Sequence, residues 1–428
     1  LETSPVDSCP PPEAWFFVSE IEGERASSFR QERWCRVFLD AGAKVRIFNQ
    51  RGAFHFSETF CETPADFEAF RQRAKATARP AASVREGPTA RLLRRLKHLS
   101  LVDLYYPSVF RLAARANQIL ANTRGSIVLV GSSPPFSMAV AGAIVKRRHP
   151  DRVTLVVDMR DAWALHLSLG GIAPLKRRIE QWALRTADHV TTVSHGLKDE
   201  FESAYGVVVT SLYNVATHYF NLPAAQSTPD WSALNPSINP SALKFVYTGS
   251  TPEGFYALKD IVGGVRIFRE QSPALVDRIQ LVFVGACEEV AREVHRQGGV
   301  GKSIAFIPHV PHRLAQEIQQ AADALVFLAY DGPGNKGVVS TKLFEYFGLG
   351  KAVFPLTVHT NSDVHRLLVR YCGTNLNLIH ANDIATALTD VAKNGTQMLP
   401  YVSDTQRLQE LLDDYRLFAS KVLDSAEA

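Results

Sequence analysis

The feature that most constrains this chain is a rhythm it runs through twice: short, β-branched apolar runs separated by amphipathic segments of helix length. Runs of that kind, without polar alternation, are buried on both faces, and parallel sheets flanked by helices bury strands that way. In the first half the runs are Trp15–Ser19, Lys44–Asn49, Ser126–Gly131, Thr154–Asp158, His189–Val193 and Thr210–Asn214, with helices predicted at Phe29–Ala41, Phe136–Arg147 and Leu175–Thr186. In the second half they are Lys244–Thr248, Ile279–Val284, Ile304–Ile307, Ala324–Leu328, Ala352–Pro355 and Asn375–Ile379. The expected fold class is α/β, with two Rossmann-like, doubly wound domains facing across a cleft.

Between the halves, Pro223–Pro240 is rich in Pro, Ser, Ala and Asn and keeps neither period. The expected organisation is a flexible leader at 1–14, an N-terminal domain at 15–220, a linker at 221–243, a C-terminal domain at 244–400 and a final helix in 401–428. Leucines and aromatics at helical spacing across Asp404–Asp424 predict that this last helix packs back on one of the domains. The chain of 428 residues is long enough for this, and with 46% apolar and 21% charged residues it can bury two cores.

A net charge of +4 does not mark a nucleic-acid binder. Five scattered cysteines without a CxxC pair argue against a disulfide framework or a thiolate zinc site, and fit a reducing cytoplasm. The opening LETSPVDSCPPP has neither region of a signal peptide, and no apolar run is long enough to span a bilayer. The thirteen histidines show no HExxH or paired-ligand spacing, so no metal is expected.

Doubly wound domains bind ligands at the carboxyl ends of their strands. The loop after the first strand, Glu20-Ile-Glu-Gly-Glu-Arg25, is not GxGxxG, and GxxxxGK[ST] is absent, which weakens a dinucleotide oxidoreductase or a P-loop NTPase. The most informative stretch is Gly332–Phe354, a glycine-rich loop, a Ser340-Thr341 helix start, about two helical turns, and a new strand. Free N–H groups at such a start favour a diphosphate, Lys342 adds a mobile positive charge, and Glu345 one turn on could accept two hydrogen bonds from a ribose diol. The alternative is a plain cap at Ser340, a surface pair of Lys342 with Glu345, and inward packing of Leu343 and Phe347. Asp158, Arg160, Asp161 and Trp163 end another candidate strand, where they would serve chemistry or form a buried pair that shapes the loop, with Trp163 as core.

The Gly332–Phe354 segment, with its KLFEY helix and following GLGKAVF, closely resembles the donor-binding region of family 4 glycosyltransferases, a retaining group with the GT-B fold. Gly131-Ser-Ser-Pro-Pro-Phe136 resembles the family's SPP loop, which brings in Ser133, and Asp158–Trp163 resembles its DxRDxW segment. Thr192–Leu197, with His195, resembles the TVSxGL turn, and Val246–Ser250 with Lys259-Asp260 resembles the opening of the second domain. The likeness covers nearly all of residues 15–395.

The resemblance implies Glu345 as the ribose acceptor and Ser340, Thr341 and Lys342 around the diphosphate, with Gly249 and Ser250 nearby. It implies Asp158, Arg160 and Asp161 as catalytic groups, with Ser133, Trp163 and His195 as weaker sugar or acceptor contacts. Two departures stand out. Ser250 occupies the place of a phosphate-gripping arginine, leaving Lys259 as the nearest basic replacement. Gly337 stands eight residues before Glu345, where many members carry a glutamate that contacts the transferred sugar. Sugar recognition would then fall to Asp331, Asn335 or Lys336.

The segment from Arg71 to His98 holds nine Lys/Arg and one acidic residue, Glu86, and leucines interleave with it to Leu104. That pattern predicts either a basic amphipathic face resting on an anionic membrane via 71–104 or a solvated face. The expected activity is retaining transfer of a hexose-type sugar from a nucleotide sugar to a hydroxyl of a glycan or lipid-linked acceptor, in polysaccharide, lipopolysaccharide or glycolipid assembly. It would need no metal and no cofactor beyond the donor, and no nucleic acid. The alternatives are a nucleotide-sugar 2-epimerase and a catalytically silent binding module.

Overall fold

The computed structural model describes residues 11–19, 21, 26–50, 55–77, 103, 106–165, 173–216, 219, 229–332, 337–374, 376, 378–402 and 405–427. The chain divides into two compact units, one comprising Leu1–Asn214 with Glu410–Ala428 and the other Val215–Gln409.

The first unit is built from β1 (Glu13–Ser19), α1 (Ala26–Asp40), β2 (Lys44–Gln50), β3 (Phe56–Cys61), α2 (Pro64–Thr77), α3 (Tyr106–Asn122), β4 (Ile127–Ser133), α4 (Ser137–Arg148), β5 (Val153–Met159), α5 (Ala173–Thr186), β6 (His189–Thr192), α6 (His195–Tyr205) and β7 (Val209–Ser211). Its sheet order is β3-β2-β1-β4-β5-β6-β7. Every neighbouring pair is parallel except β2 with β3.

Because successive strand residues point to opposite faces, β1 feeds two cores. Trp15 and Phe17 pack with side chains of α3, α4, α5 and α6, whereas Ala14, Phe16 and Val18 pack with α1 and with the chain's last helix. The edge strand β3 escapes the apolar-run pattern because most of its residues, in Phe56-Ser-Glu-Thr-Phe-Cys61, stay partly exposed.

The second unit contains α7 (Trp231–Leu234), β8 (Leu243–Ser250), α8 (Leu258–Gln271), β9 (Ile279–Ala286), α9 (Glu288–Gln297), β10 (Ile304–Ile307), α10 (His312–Ala321), β11 (Ala324–Leu328), α11 (Thr341–Gly348), β12 (Ala352–Leu356), α12 (Asp363–Cys372) and α13 (Ala381–Asn394). Its five strands run in the order β10-β9-β8-β11-β12, all parallel. Part of the expected linker is built against this sheet: Asn235 donates to the Phe306 carbonyl at 2.8 Å and Gln280 to the Ser237 carbonyl at 2.9 Å.

The strand expected at Asn375–Ile379 does not form among its described residues. Among the described residues the segment is tethered beside β12 by the backbone bond from Thr357 N–H to the Leu378 carbonyl at 2.8 Å, while Leu378 inserts into the core. The final helix, α14 (Glu410–Glu427), contributes Tyr415, Phe418, Ala419, Val422 and Leu423 to the core of the first unit. No helix among the described residues is long and apolar enough to cross a membrane.

Candidate active site

In the first unit the ends of β4 and β5 lie side by side, with Ser132 opposite Asp158 and Ser133 opposite Met159. Asp158 has no exposed surface. Arg30 of α1 grips both its oxygens through Nε at 3.1 and 3.0 Å and donates from Nη2 to Oδ1 at 2.6 Å. Ser132 Oγ at 3.1 Å and Thr191 Oγ1 at 2.8 Å complete the shell. Burial alone would raise the carboxyl, but Arg30, the Thr191 hydroxyl and Arg160 outweigh it and hold Asp158 below the ordinary range.

The ion-pair partner of Asp158 is Arg30. A carboxylate with no accessible surface and its lone pairs engaged by protein is placed to shape the strand end, which departs from the catalytic role expected of Asp158. The same Arg30 donates to the Leu212 carbonyl at 2.6 Å and to the Tyr415 hydroxyl, which in turn donates to the Tyr213 carbonyl at 3.0 Å. The last helix is thereby wired to the strand end that carries Asp158.

Arg160, 8% exposed, turns back on the SPP loop. Its Nε donates to the Ser133 carbonyl at 3.0 Å and its Nη2 to the Pro134 carbonyl, while its backbone N–H also reaches the Ser133 carbonyl. The Ser133 hydroxyl is buried without a hydrogen-bond partner among the described residues. Trp163 stacks on Phe136 of the same loop, centroids 4.3 Å apart and rings 8° from parallel, with Lys176 Nζ 5.4 Å from its centroid. Asp161 is exposed beside Arg160, on which its charge acts. His195 opens α6 behind the Ser194 cap, exposed and edge-on to Tyr213 at 5.7 Å.

In the second unit the carboxyl ends of β8 and β9 meet at paired glycines, Gly249 and Gly285. Both have positive φ, 144° and 115°, and a Cβ on Gly285 would fall 2.3 Å from the Gly249 carbonyl oxygen. A Cβ on Gly249 would fall 2.7 Å from Cε and 2.9 Å from Nζ of Lys342, so the lysine lies directly across that glycine. Ser340 caps α11 by accepting from the Lys342 N–H at 3.4 Å. Thr341 and Lys342 occupy its first turn, whose outward N–H groups and dipole favour an anion. Ser250 is exposed and its carbonyl accepts from the Tyr247 hydroxyl at 2.7 Å, so no basic side chain stands there. Lys259, exposed at the start of α8, acts on Glu293 of α9.

The Tyr219 hydroxyl and the Gln319 amide hydrogen bond to the Glu345 carboxylate, with Lys342 and His312 as nearby charges. Burial nonetheless pushes the carboxyl above the ordinary glutamate range. Gly337 is buried at the end of the loop leading to α11, and Asn335 and Lys336 lie outside the described residues. Asp331 pairs with His359 Nε2 at 2.8 Å, and its N–H donates to the Phe255 carbonyl at 2.9 Å, joining the loops after β8, β11 and β12. Among the described residues no cluster of three or more His, Cys, Asp or Glu could hold a metal ion.

Sequence reasoning missed Arg30, Tyr415, Tyr219, Gln319 and His359. Only Gln319 had a local signal, since His312, Gln316 and Gln319 recur at i, i+4 and i+7 and mark a polar stripe on α10.

The model of Glycosyltransferase Family 4 matches residues 35–214. A search of curated protein sequences returns no relative. Among solved structures the chain is similar to HepE from Anabaena in complex with UDP, at 13% identity, covering 97% of each chain, with a TM-score of 0.55. It is similar to an α,α-trehalose-phosphate synthase (UDP-forming) from Burkholderia vietnamiensis at 10% identity, covering 97% of this chain and 99% of that one, TM-score 0.59. It is also similar to a sucrose-phosphate synthase from Thermosynechococcus elongatus at 13% identity, covering 97% and 98%, TM-score 0.55. Residues 35–214 thus match the glycosyltransferase family 4 model, and the chain has the GT-B fold.

Proposed function

We propose that this chain is a glycosyltransferase that moves a hexose-type sugar from a uridine diphosphate donor to an acceptor hydroxyl with retention at the anomeric carbon. The observation that carries the reading is the α11 start, where Lys342 lies across Gly249 and Glu345 follows one turn later. A diphosphate at that helix end would meet free N–H groups, the dipole and the lysine ammonium, and the ribose diol would donate to Glu345. Uridine as the base is supported by the UDP bound in the Anabaena structure and by the UDP-forming synthase.

In the reaction, the bond from the anomeric carbon to the β-phosphate oxygen breaks and a bond to the acceptor oxygen forms on the same face. The acceptor proton passes to the departing phosphate oxygen, so the products are UDP and the glycoside. The fixed positive potential of α11 and Lys342 stabilises the leaving diphosphate, the task a divalent metal would otherwise perform. In the other unit, Arg160 and the Trp163–Phe136 stack hold the SPP loop, with Ser133, Asp161 and His195 as acceptor-side groups. Asp331 would take the sugar-hydroxyl role in place of the missing glutamate at Gly337, joined by Asn335 and Lys336.

The acceptor in this reading is a glycan or lipid-linked hydroxyl at the inner face of a membrane, reached through the basic segment 71–104. Most of that segment lies outside the described residues, and its support is its sequence, nine Lys/Arg with one acidic residue between Arg71 and His98. Calorimetry tests the donor half: UDP should bind the wild type and bind folded Glu345→Ala far more weakly, because the ribose diol loses its acceptor. Equal affinities would sink the assignment. Incubating the donor sugar without acceptor and following it by NMR separates transfer from epimerisation.

A further inference from the structure

The polar face of α10 and Tyr219, four residues into the second unit, converge on Glu345. Tyr219, 3% exposed, hydrogen bonds to the Glu345 carboxylate and to Gln316. Its hydroxyl donates to the carboxylate and accepts from the Gln316 amide, because a phenol has one proton to give. Gln319, equally enclosed, hydrogen bonds to Glu345 and donates to Thr248 Oγ1 at 2.7 Å at the end of β8. Glu345 is thus held from two sides, by α10 and by the segment that begins the second unit at Val215.

An unrestrained glutamate has a broad terminal torsion, so its two oxygens seldom present the plane that two adjacent hydroxyls need. A hydroxyl and an amide each held by a second partner remove that freedom before the ligand arrives, and preorganisation of this kind appears as affinity. We infer that Tyr219 is a positioning residue of the donor site, whose hydroxyl orients the Glu345 carboxylate to receive both hydroxyls of the nucleotide's ribose. The inference rests on the reading of Glu345 as the ribose acceptor. It adds that the chain segment entering the second unit sets how strictly the site demands a ribonucleotide.

The test measures calorimetric affinities of the full chain for UDP and for 2′-deoxy-UDP, in wild type and in Tyr219→Phe. The wild type should prefer UDP. Tyr219→Phe should weaken UDP by about tenfold, the scale of one hydrogen bond to a charged group. It should leave 2′-deoxy-UDP nearly unchanged, so the preference narrows. A general loosening of structure would weaken both ligands equally and keep the ratio, and that result, or tighter UDP binding, overturns the inference. A wild type indifferent to the 2′-hydroxyl overturns the Glu345 reading first, and the Tyr219 role with it. Should Tyr219→Phe fail to fold, Gln316→Ala carries the same expectation, because the tyrosine hydroxyl then loses the partner that fixes it.

Discussion

Arg30 and Asp158 form an ion pair at 2.6 Å in which neither side chain has any exposed surface. A pair buried this completely adds little net stability over an apolar substitute, but removing one charge strands the other. Asp158→Asn is expected to destabilise the first unit by about 3–5 kcal/mol, because Arg30 keeps its charge and loses its counterion. The depressed carboxyl also fixes the pH sense. Its contribution is complete above the ordinary aspartate value near ~3.9 and is lost as pH falls through the lower native one. Thermal unfolding of wild type and Asp158→Asn from neutral to acid pH checks both points, and a difference that fails to shrink toward acid pH would contradict the assignment.

The two glycines at the ends of β8 and β9 should respond differently to the same substitution. Gly285→Ala drives a methyl into the Gly249 carbonyl, a backbone atom that cannot swing aside, and should lower the unfolding midpoint clearly. Gly249→Ala meets first the far end of Lys342, with the Tyr247 hydroxyl at 3.3 Å, although its φ of 144° still carries strain. Its main effect is expected on UDP affinity, because the ammonium must leave the place where a diphosphate would bind. Comparing midpoint and UDP affinity for the two variants separates these outcomes, and a Gly249→Ala protein with unaltered affinity would count against the Lys342 site.

Arg160 fixes the SPP loop through two carbonyls from two separate nitrogens, Nε and Nη2, a rigid planar spacing that the single nitrogen of an ammonium does not reproduce. Arg160→Lys should therefore keep the charge and the fold and still lower turnover, by up to about a hundredfold if the acceptor-side groups move by an ångström. Initial rates beside an unfolding curve decide it, and full turnover in the variant would show that the loop does not need the fork.

Short-range features of the chain were readable and long-range ones were not. The runs Ile304–Ile307 and Ala324–Leu328 are strands at those bounds, and the Ser340-Thr341 start of α11 is a capped helix end, because periodicity and caps are local. The antiparallel strand β3 escaped notice because its side chains remain partly exposed. At the site, the partner of Asp158 stands 128 residues earlier in sequence, and Tyr415 reaches Arg30 from 385 residues away. No spacing rule links such positions, since only the winding of the sheet brings them together. The position of Glu345 on α11 follows from local helix spacing, whereas its hydrogen bond with Tyr219 depends on where the connecting segment enters the second unit.

Donor binding should release a proton, and the source should be Glu345. Burial holds that carboxyl above the ordinary glutamate range, despite Lys342, His312 and the hydrogen bonds from Gln319 and Tyr219. The free protein therefore keeps its proton to a higher pH than an exposed glutamate would. A ribose diol donates two hydrogen bonds and so favours the ionised form, which lowers the carboxyl's pKa in the complex. Between the two values, binding must expel the proton, and affinity must fall as pH drops through the value of the free protein. The same shift acts on stability with the opposite sense to Asp158: it favours the folded state while Glu345 is protonated, and that advantage is lost as pH rises through the raised value. Calorimetry of UDP binding in two buffers of different ionisation enthalpy counts the protons, and Glu345→Gln provides the reference because the diphosphate also titrates. Across a pH series, wild type should release more protons than Glu345→Gln between the free and the bound value; identical counts throughout would mean that the ribose does not meet this carboxylate.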